Sequence, residues 1–179
     1  NQHTEEVDAL MSEKHPTWKR ERNSTNSTMR IILSGSSLHK GRYLDFWKKL
    51  VREIENDFPN AMIRFAIDHQ GSHIIKELAD ENSSLTVLDN GKPTLSEMLW
   101  LMQQTDIHIG GRFHAATYAI NAGTPSLLFD GNTWKIRSLV EPLRSKWIQM
   151  FGKEISSDEA AKVWAAAKKM ISKPFEESA

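Results

Sequence analysis

The residues with the clearest chemical character lie in the stretch 106–116, which reads Asp-Ile-His-Ile-Gly-Gly-Arg-Phe-His-Ala-Ala. A short apolar run ends in Gly110 and Gly111, which allow a ligand to approach the backbone closely or simply form a tight turn. Arg112 and His114 then open a predicted helix. This order places a fixed positive charge, an imidazole and the positive end of a helix around one point, which suits a phosphate or a carboxylate. Anion binding is therefore the first functional hypothesis.

Arg112 is the strongest candidate of this stretch, because its planar guanidinium matches the oxygens of a carboxylate or a phosphate. A cation at a helix start opposes the helix dipole, which indicates an anion that both serve; the alternative is an ordinary surface arginine. His114, in the first turn, could donate to the anion or transfer a proton, or could simply pack on a neighbouring loop. His108, inside the preceding strand, is interpreted as a hydrogen-bonded structural residue.

Further candidate ligands of the anion follow other predicted strands. Ser36, Lys40 and Arg42 belong to a Gly- and Ser-rich basic loop after the first strand, where either cation could complete a clamp. Lys135 opens a later helix, again against the dipole, and is a third candidate cation. A solvated loop is the alternative for each of these residues. Asp68 and His69 end the second strand, where a role in the turn is the favoured interpretation.

The elements that must position these residues follow from hydrophobic periodicity and from helix stop signals. Thr94 and Glu97 form a predicted capping box at one helix start. Most Trp and Met residues fall on helical stripes and are predicted to be core. The pattern predicts strands at 29–34, 61–67, 85–88, 107–109, 126–129 and 148–151, and helices at 43–58, 73–80, 94–104, 112–122, 135–143 and 156–172.

Alternation of strands and helices predicts a Rossmann-like, three-layer α/β/α fold with a parallel sheet. If the strand order is the common 3-2-1-4-5-6, the first and fourth strands flank the topological switch point, where ligands bind. The loops at 35–42 and 110–114 then face each other across one crevice. The topology alone therefore brings the two groups of basic residues together. No G-x-G-x-x-G follows the first strand, so dinucleotide binding is only weakly supported.

Composition excludes several functional classes. The 179 residues carry 23 basic and 23 acidic side chains, so the overall charge gives no indication of a nucleic-acid partner. The absence of cysteine excludes disulfides, zinc–thiolate sites and thiol nucleophiles, and we predict no metal site. No apolar segment is long enough to span a bilayer, and no signal-peptide core is present. A cytoplasmic protein is the expectation, with the Golgi lumen as the alternative for a eukaryotic source.

The chain divides into two predicted parts. Residues 1–28 hold few apolar side chains and read as a polar arm or an interlobe linker, whereas residues 29–179 form the Rossmann-like domain. Because the sequence begins at Asn1 rather than at a methionine, we expect a piece of a larger protein.

The segment from Asp106 to Lys135 resembles the polysaccharide pyruvyl transferase family. Members carry a strand ending in a small residue, then Arg-Leu-His-Ala, a helix, an Ala-Gly-x-Pro segment with an apolar strand, and a lysine-containing turn. Phe113 stands where leucine is usual. The corresponding pieces here are Gly111-Arg-Phe-His-Ala115, Asn121-Ala-Gly-Thr-Pro125 and Trp134-Lys-Ile136.

This resemblance implies one lobe of a GT-B-like architecture and a transferase activity. The family transfers the pyruvyl group of phosphoenolpyruvate to sugar hydroxyls as a ketal, so phosphoenolpyruvate is a donor substrate and no cofactor is expected. Arg112 and His114 map to the family arginine and histidine that bind the donor and assist proton transfer. A further family arginine has an ambiguous equivalent, either Lys40 or Arg42. The implied acceptor is a sugar or a lipid-linked oligosaccharide of an exopolysaccharide or cell-surface glycan.

The chain has the length of a C-terminal lobe alone, so an N-terminal lobe or a homo-oligomer is the expected partner, and activity of the lone lobe is left open. Two alternative hypotheses for the function are kept beside the pyruvyl transferase. One is the nucleotide-sugar lobe of a GT-B glycosyltransferase, with Glu141 on the ribose. The other is a non-catalytic anion-binding domain.

Overall fold

The fold is described from a computed structural model of the chain. Its strands are β1 (Arg30–Ser36), β2 (Met62–Ile67), β3 (Leu85–Asp89), β4 (Ile107–Gly111), β5 (Ser126–Leu128) and β6 (Ile148–Met150). Its helices are α1 (Leu44–Asp57), α2 (Leu95–Gln103), α3 (Phe113–Asn121), α4 (Lys135–Val140) and α5 (Ala160–Ser172), with 3-10 turns at Glu141–Leu143 and Ser157–Glu159. The structure describes residues 28–36, 44–67, 78–79, 85–89, 94–130, 134–143, 147–152 and 156–172.

The strands form one parallel sheet in the order β3-β2-β1-β4-β5-β6, which confirms the predicted topology. β1 and β4 are therefore neighbours in the centre of the sheet, and successive strands are added outward from them in opposite directions. Their carboxyl ends flank the switch point. The predicted α/β/α class is likewise confirmed.

One face of the sheet is covered by α1 and α5, which supply large side chains to the main core. Phe46, Trp47 and Trp164 are buried there against apolar residues of β1, β2, β4 and β5. The rings pack edge to face; the centroids of Trp47 and Phe65, for example, are 4.9 Å apart. We call this the α1/α5 face. It contributes most of the aromatic burial in the described part of the protein.

The opposite face carries α2, α3 and α4 and is built from smaller side chains. Ala115 and Ala119 of α3 pack with Met98 and Met102 of α2 over Ile32 of β1. A second small cluster joins α3 and α4 to β5 and β6; it consists of Ala116, Ile120, Leu128, Ile136 and Ile148. We call this the α2/α3/α4 face. Alanines let α3 approach the sheet closely, which places its start at the switch point.

Local signals account for most helix boundaries. The Thr94 hydroxyl accepts from the Glu97 amide at 3.3 Å while the Glu97 carboxylate accepts from the Thr94 amide at 2.7 Å, so the predicted capping box is confirmed. After α3, Gly123 adopts φ +68°, the left-handed conformation that ends helices. The predicted helix 135–143 is shorter, because its last turn, Glu141–Leu143, tightens to a 3-10 turn.

Two predictions need comment. Of the predicted helix 73–80, the structure describes only Leu78 and Ala79, which are helical; the rest lies outside the described residues. The expectation that the tryptophans are core is wrong for Trp100 and Trp134, which are 59% and 73% exposed. Trp100 lies on a side of α2 that is exposed, and Trp134 is the N-cap residue that precedes α4.

Candidate functional site

The carboxyl ends of β1 and β4 meet at a junction without room for a side chain. Ser34 pairs with Gly110 and Ser36 with Gly111, and the register shifts between these two pairs. A Cβ at Gly110 would overlap both the side chain and the carbonyl of Ser34. Gly110 is therefore required by packing between the strands. Whether Gly110 and Gly111 also contact a ligand, as predicted, stays a prediction.

His108 lies beneath this junction on the α2/α3/α4 face. Its Nε2 lies 2.8 Å from the Ser34 hydroxyl, and both side chains are fully buried. Among the described residues, its Nδ1 has no hydrogen-bond partner. Burial lowers the pKa of His108 to about 3, so the ring is neutral at physiological pH. The interpretation of His108 as a hydrogen-bonded structural residue is confirmed.

Arg112 occupies the step between β4 and α3. Its backbone is extended (φ −89°, ψ 125°), and it is the N-cap of α3, which begins one residue later than predicted. Its side chain leads back towards β1, since a methyl group on Gly35 would lie 4.0 Å from Arg112 Nε. The guanidinium therefore lies near the end of β1. Arg112 thus approaches Gly35, the first residue of the predicted loop 35–42, while residues 37–42 lie outside the described residues.

The start of α3 presents backbone amides towards the carboxyl ends of the central strands. The helix is nine residues long, and the Ala116 amide donates to the Arg112 carbonyl at 2.9 Å. No side chain at the N-cap bonds to the first-turn amides. These amides point out of the helix start with the positive end of the dipole. His114, in this first turn, is exposed.

Phe113 connects His114 with Lys135. The rings of Phe113 and His114 have centroids 5.8 Å apart, and Lys135 Nζ lies 6.0 Å from the Phe113 centroid. A cation at this distance from an aromatic face is attracted by the ring quadrupole. The structure thus brings Lys135, at the start of α4, beside the start of α3. Phe113, which stands where leucine is usual, thus contacts two of the candidate site residues.

Of the remaining predicted site residues, the structure describes only the backbone of Ser36. The backbone of Ser36 ends β1 beside Gly111, at the switch point. Lys40 and Arg42 lie outside the described residues, as do Asp68 and His69, so their roles stay predictions.

The sequence analysis missed an ion pair at the edge of this site. Asp130, which follows β5, is 3% exposed. Arg137 of α4 donates to it through two nitrogens, with Nε at 2.9 Å and 3.1 Å from its oxygens and a terminal nitrogen at 2.7 Å. The Asp130 carboxylate, with a smaller contribution from Glu141, raises the pKa of Arg137 above its usual value. An acid directly after a strand with a basic residue in the next helix was the available signal.

The strand order and the switch-point site define a Rossmann-like lobe of the GT-B-like fold. Solved structures share it: E. coli ADP-heptose LPS heptosyltransferase II (TM-score 0.60, 9% identity), the UDP-GlcNAc 2-epimerase of Neisseria meningitidis bound to UDP-GlcNAc (0.53, 15%) and the pneumococcal O-GlcNAc transferase in complex with UDP and GlcNAc (0.53, 15%). The matches cover 93%, 84% and 79% of this chain, but 51%, 40% and 28% of those proteins. The chain therefore spans about half of their length or less.

The family model for polysaccharide pyruvyl transferase matches residues 8–133, and the chain belongs to that family. The matched segment includes β1, β4, Arg112 and His114. No curated protein sequence gives a significant match. Among the described residues, no helix has the length and apolar character needed to cross a bilayer.

Proposed function

We propose that this chain binds phosphoenolpyruvate at the carboxyl ends of β1 and β4 and serves in the transfer of its pyruvyl group to a sugar. The observation that carries the proposal is the position of Arg112 in a member of this family. Its backbone is the N-cap of α3, while its guanidinium lies near the end of β1. A fixed cation at the positive end of a helix is a site for a multiply charged anion.

The chemistry of the donor fits these groups. Phosphoenolpyruvate carries a phosphate and a carboxylate on adjacent atoms of one small molecule, so it needs two neighbouring cationic groups. The Arg112 guanidinium, one of these cationic groups, can hold the phosphate or the carboxylate of the donor in a bidentate contact. The first-turn amides of α3 and the Lys135 ammonium, which lies over Phe113, supply the second. Lys40 and Arg42 stay candidates for a further contact.

The proposed reaction consumes one donor and two hydroxyls of one sugar. The first hydroxyl adds to C2 of phosphoenolpyruvate, its proton is taken up by a base, and C3 accepts a proton to become a methyl group. The second hydroxyl then displaces phosphate from C2, its proton passes through the same base to the departing phosphate, and the product is a cyclic ketal that bears the carboxylate. We assign the proton transfers to His114, which is exposed in the first turn of α3. No oxidant or reductant is required.

The acceptor in this proposal is a sugar or a lipid-linked oligosaccharide with two suitably placed hydroxyls. In GT-B-like proteins a ligand cleft lies between two lobes, and this chain has the length of about one. We therefore propose that the acceptor binds with the help of an N-terminal lobe or a second copy of the chain. A coupled assay of phosphate release with sugar acceptors tests whether the chain acts alone.

Titration of the chain with phosphoenolpyruvate tests the donor site. We expect saturable binding that Arg112→Ala weakens about tenfold or more, because a charge-assisted contact is lost. His114→Asn should leave the affinity nearly unchanged and reduce turnover in an active assembly about 10²–10⁴-fold. Arg52→Ala, an exposed change on α1, is the matched control and should bind as wild type. No binding by wild type, or equal binding by wild type and Arg112→Ala, would refute the proposal.

A second candidate function is supported by the names of the neighbouring structures, two of which were solved with UDP-GlcNAc or with UDP and GlcNAc. In that case the same carboxyl edge would hold a nucleotide sugar, with Glu141 on the ribose. Glu141 is exposed in the 3-10 turn after α4, at the end of that helix away from Lys135. Titration with UDP- and GDP-sugars beside phosphoenolpyruvate separates the two functions, and Glu141→Gln should weaken only nucleotide-sugar binding.

A further inference from the structure

Helix α4 is too short to define its own position. It has six residues, and Ile136 is its one fully buried side chain. Helices of this length are marginal in water, so their orientation depends on tertiary contacts. Lys135 and Arg137 on either side of Ile136 are both exposed residues. The place of Lys135 in the site therefore depends on what holds the first turn of α4.

Asp130 is the fixed end of the ion pair with Arg137. It lies two residues after β5, its side chain is 4% exposed, and its amide donates to the Gly152 carbonyl at 3.2 Å. A buried carboxylate is costly without a charged, hydrogen-bonded partner. The Arg137 fork supplies that partner with two nitrogens on two oxygens, which sets direction as well as distance. The pair thus ties Arg137, the third residue of α4, to the end of the sheet.

Three consecutive residues of α4 make three different contacts. Lys135 lies over Phe113, Ile136 packs in the cluster with Ala116 and Leu128, and Arg137 binds Asp130. Successive helical residues point about 100° apart, as 3.6 residues per turn require. Fixing Ile136 and Arg137 therefore fixes the rotation of α4 about its axis. That rotation directs Lys135 towards Phe113 and the start of α3.

We propose that Asp130 and Arg137 are positioning residues, which hold Lys135 beside the donor-binding start of α3. The pair acts through Lys135 and makes no contact with the donor. Because Lys135 is taken as a donor ligand, the effect on donor binding rests on the proposed function. The effect on the position of Lys135 does not rest on the proposed function, and the two effects can be measured separately.

The position of Lys135 can be measured by nuclear magnetic resonance after its amine and the other lysine amines are labelled as carbon-13 dimethyl groups. The methyl signal that is missing from the spectrum of Lys135→Arg is assigned to Lys135. The Phe113→Leu variant gives the chemical shift of that signal in the absence of the Phe113 ring. We expect Arg137→Ala to move the Lys135 signal most of the way to its Phe113→Leu value. Asp57→Asn, which breaks the Lys168 and Trp164 contacts of Asp57 on the other face, is the matched control and should leave it unchanged.

Arg137→Ala takes the charged partner away from the buried Asp130 carboxylate, which lowers the free energy of unfolding. The double change Asp130→Asn with Arg137→Leu removes both charges and avoids that penalty. This variant should also shift the Lys135 signal, whereas Arg137→Lys, which keeps the charge but not the fork, should shift it partway. A Lys135 signal that stays at its wild-type position in both the single and the double variant would overturn the proposal.

Phosphoenolpyruvate titration of a double-mutant cycle supplies the second readout. We expect Lys135→Ala to raise Kd about tenfold and Arg137→Ala to raise it several-fold. Together they should raise Kd no more than Lys135→Ala alone, because Arg137 acts through Lys135. Independent, multiplying effects would overturn the proposal. If wild type binds no phosphoenolpyruvate, the proposed function fails, and the Lys135 signal still decides whether the pair positions that residue.

Discussion

The two faces of the sheet differ in how they are built. On the α1/α5 face, helices of 14 and 13 residues each bury five side chains, and aromatic rings fill the core. On the α2/α3/α4 face, helices of nine, nine and six residues bury alanines, methionines and a few isoleucines. The candidate site belongs to the second face. The difference indicates that the first face supplies most of the stability, while the second gives short elements that place charged groups at the sheet edge.

Removal of a large aromatic side chain from the α1/α5 face should have the largest effect. Phe46 is 1% exposed and packs against Trp47 and Phe129, with centroids 5.0 Å and 5.9 Å away. We expect Phe46→Ala to lower the free energy of unfolding by about 3–5 kcal/mol, measured by urea denaturation. Phosphoenolpyruvate affinity of the folded fraction should not change. Loss of affinity in a folded Phe46→Ala protein would show that the two faces are not separate in function.

The second effect is at the junction between β1 and β4. Gly110→Ala places a methyl group against the backbone of Ser34, and overpacking of this kind costs about 1–3 kcal/mol. Gly35→Ala is the matched control, since its new methyl group would meet Phe65 and Arg112 only at 3.9 Å and 4.0 Å. Denaturation of both variants checks the difference. Equal losses would mean that the strands at the switch point can separate, so that Gly110 is not required by packing.

The third effect is a pH dependence from His108. Its pKa is lowered from 6.5 to about 3 in the folded chain, so the unfolded chain binds the extra proton first. The contribution of His108 to the free energy of unfolding is fully present above pH 6.5. It falls as the pH drops from 6.5 towards 3, by at most about 1.4 kcal/mol per pH unit. Urea unfolding between pH 7.5 and 4.5 measures the slope. The slope should be shallower in His108→Gln, and an identical slope would contradict the assignment.

The smallest effect is expected at the cap of α2. This helix buries only Met98 and Met102, so we expect its capping box to carry a large share of its stability. We expect Thr94→Ala to cost about 1 kcal/mol, measured by thermal or urea unfolding. Ser96→Ala, an exposed change in the same turn, serves as the control. A Thr94→Ala protein as stable as its control would show that packing alone fixes α2.

Much of this fold was predictable because local periodicity carries it. Alternating strands and helices indicated a parallel sheet, and short right-handed connections made the order 3-2-1-4-5-6 the natural choice. The capping box at Thr94 and the glycine stop at Gly123 were readable for the same reason, since caps act within one turn. The start of α3 was predicted one residue early, because an N-cap and a first helical residue look alike in a periodicity pattern.

The candidate site was predictable to the extent that one segment contains it. Gly110, Arg112 and His114 follow one another, so their common location needed only the strand-to-helix step. The contact of Phe113 with Lys135 was not predictable, because it joins the starts of two helices. The same holds for the bond between Ser34 and His108, whose residues are 74 positions apart.

The sequence alone was enough to predict the order of the elements and to single out the segment that we propose for anion binding, because both depend on residues close together in the chain. The partners of His108, Lys135 and Arg137 became evident from the folded chain alone. Register between strands and rotation of a short helix depend on how separate elements pack, and that packing is a property of the whole domain rather than of any one segment.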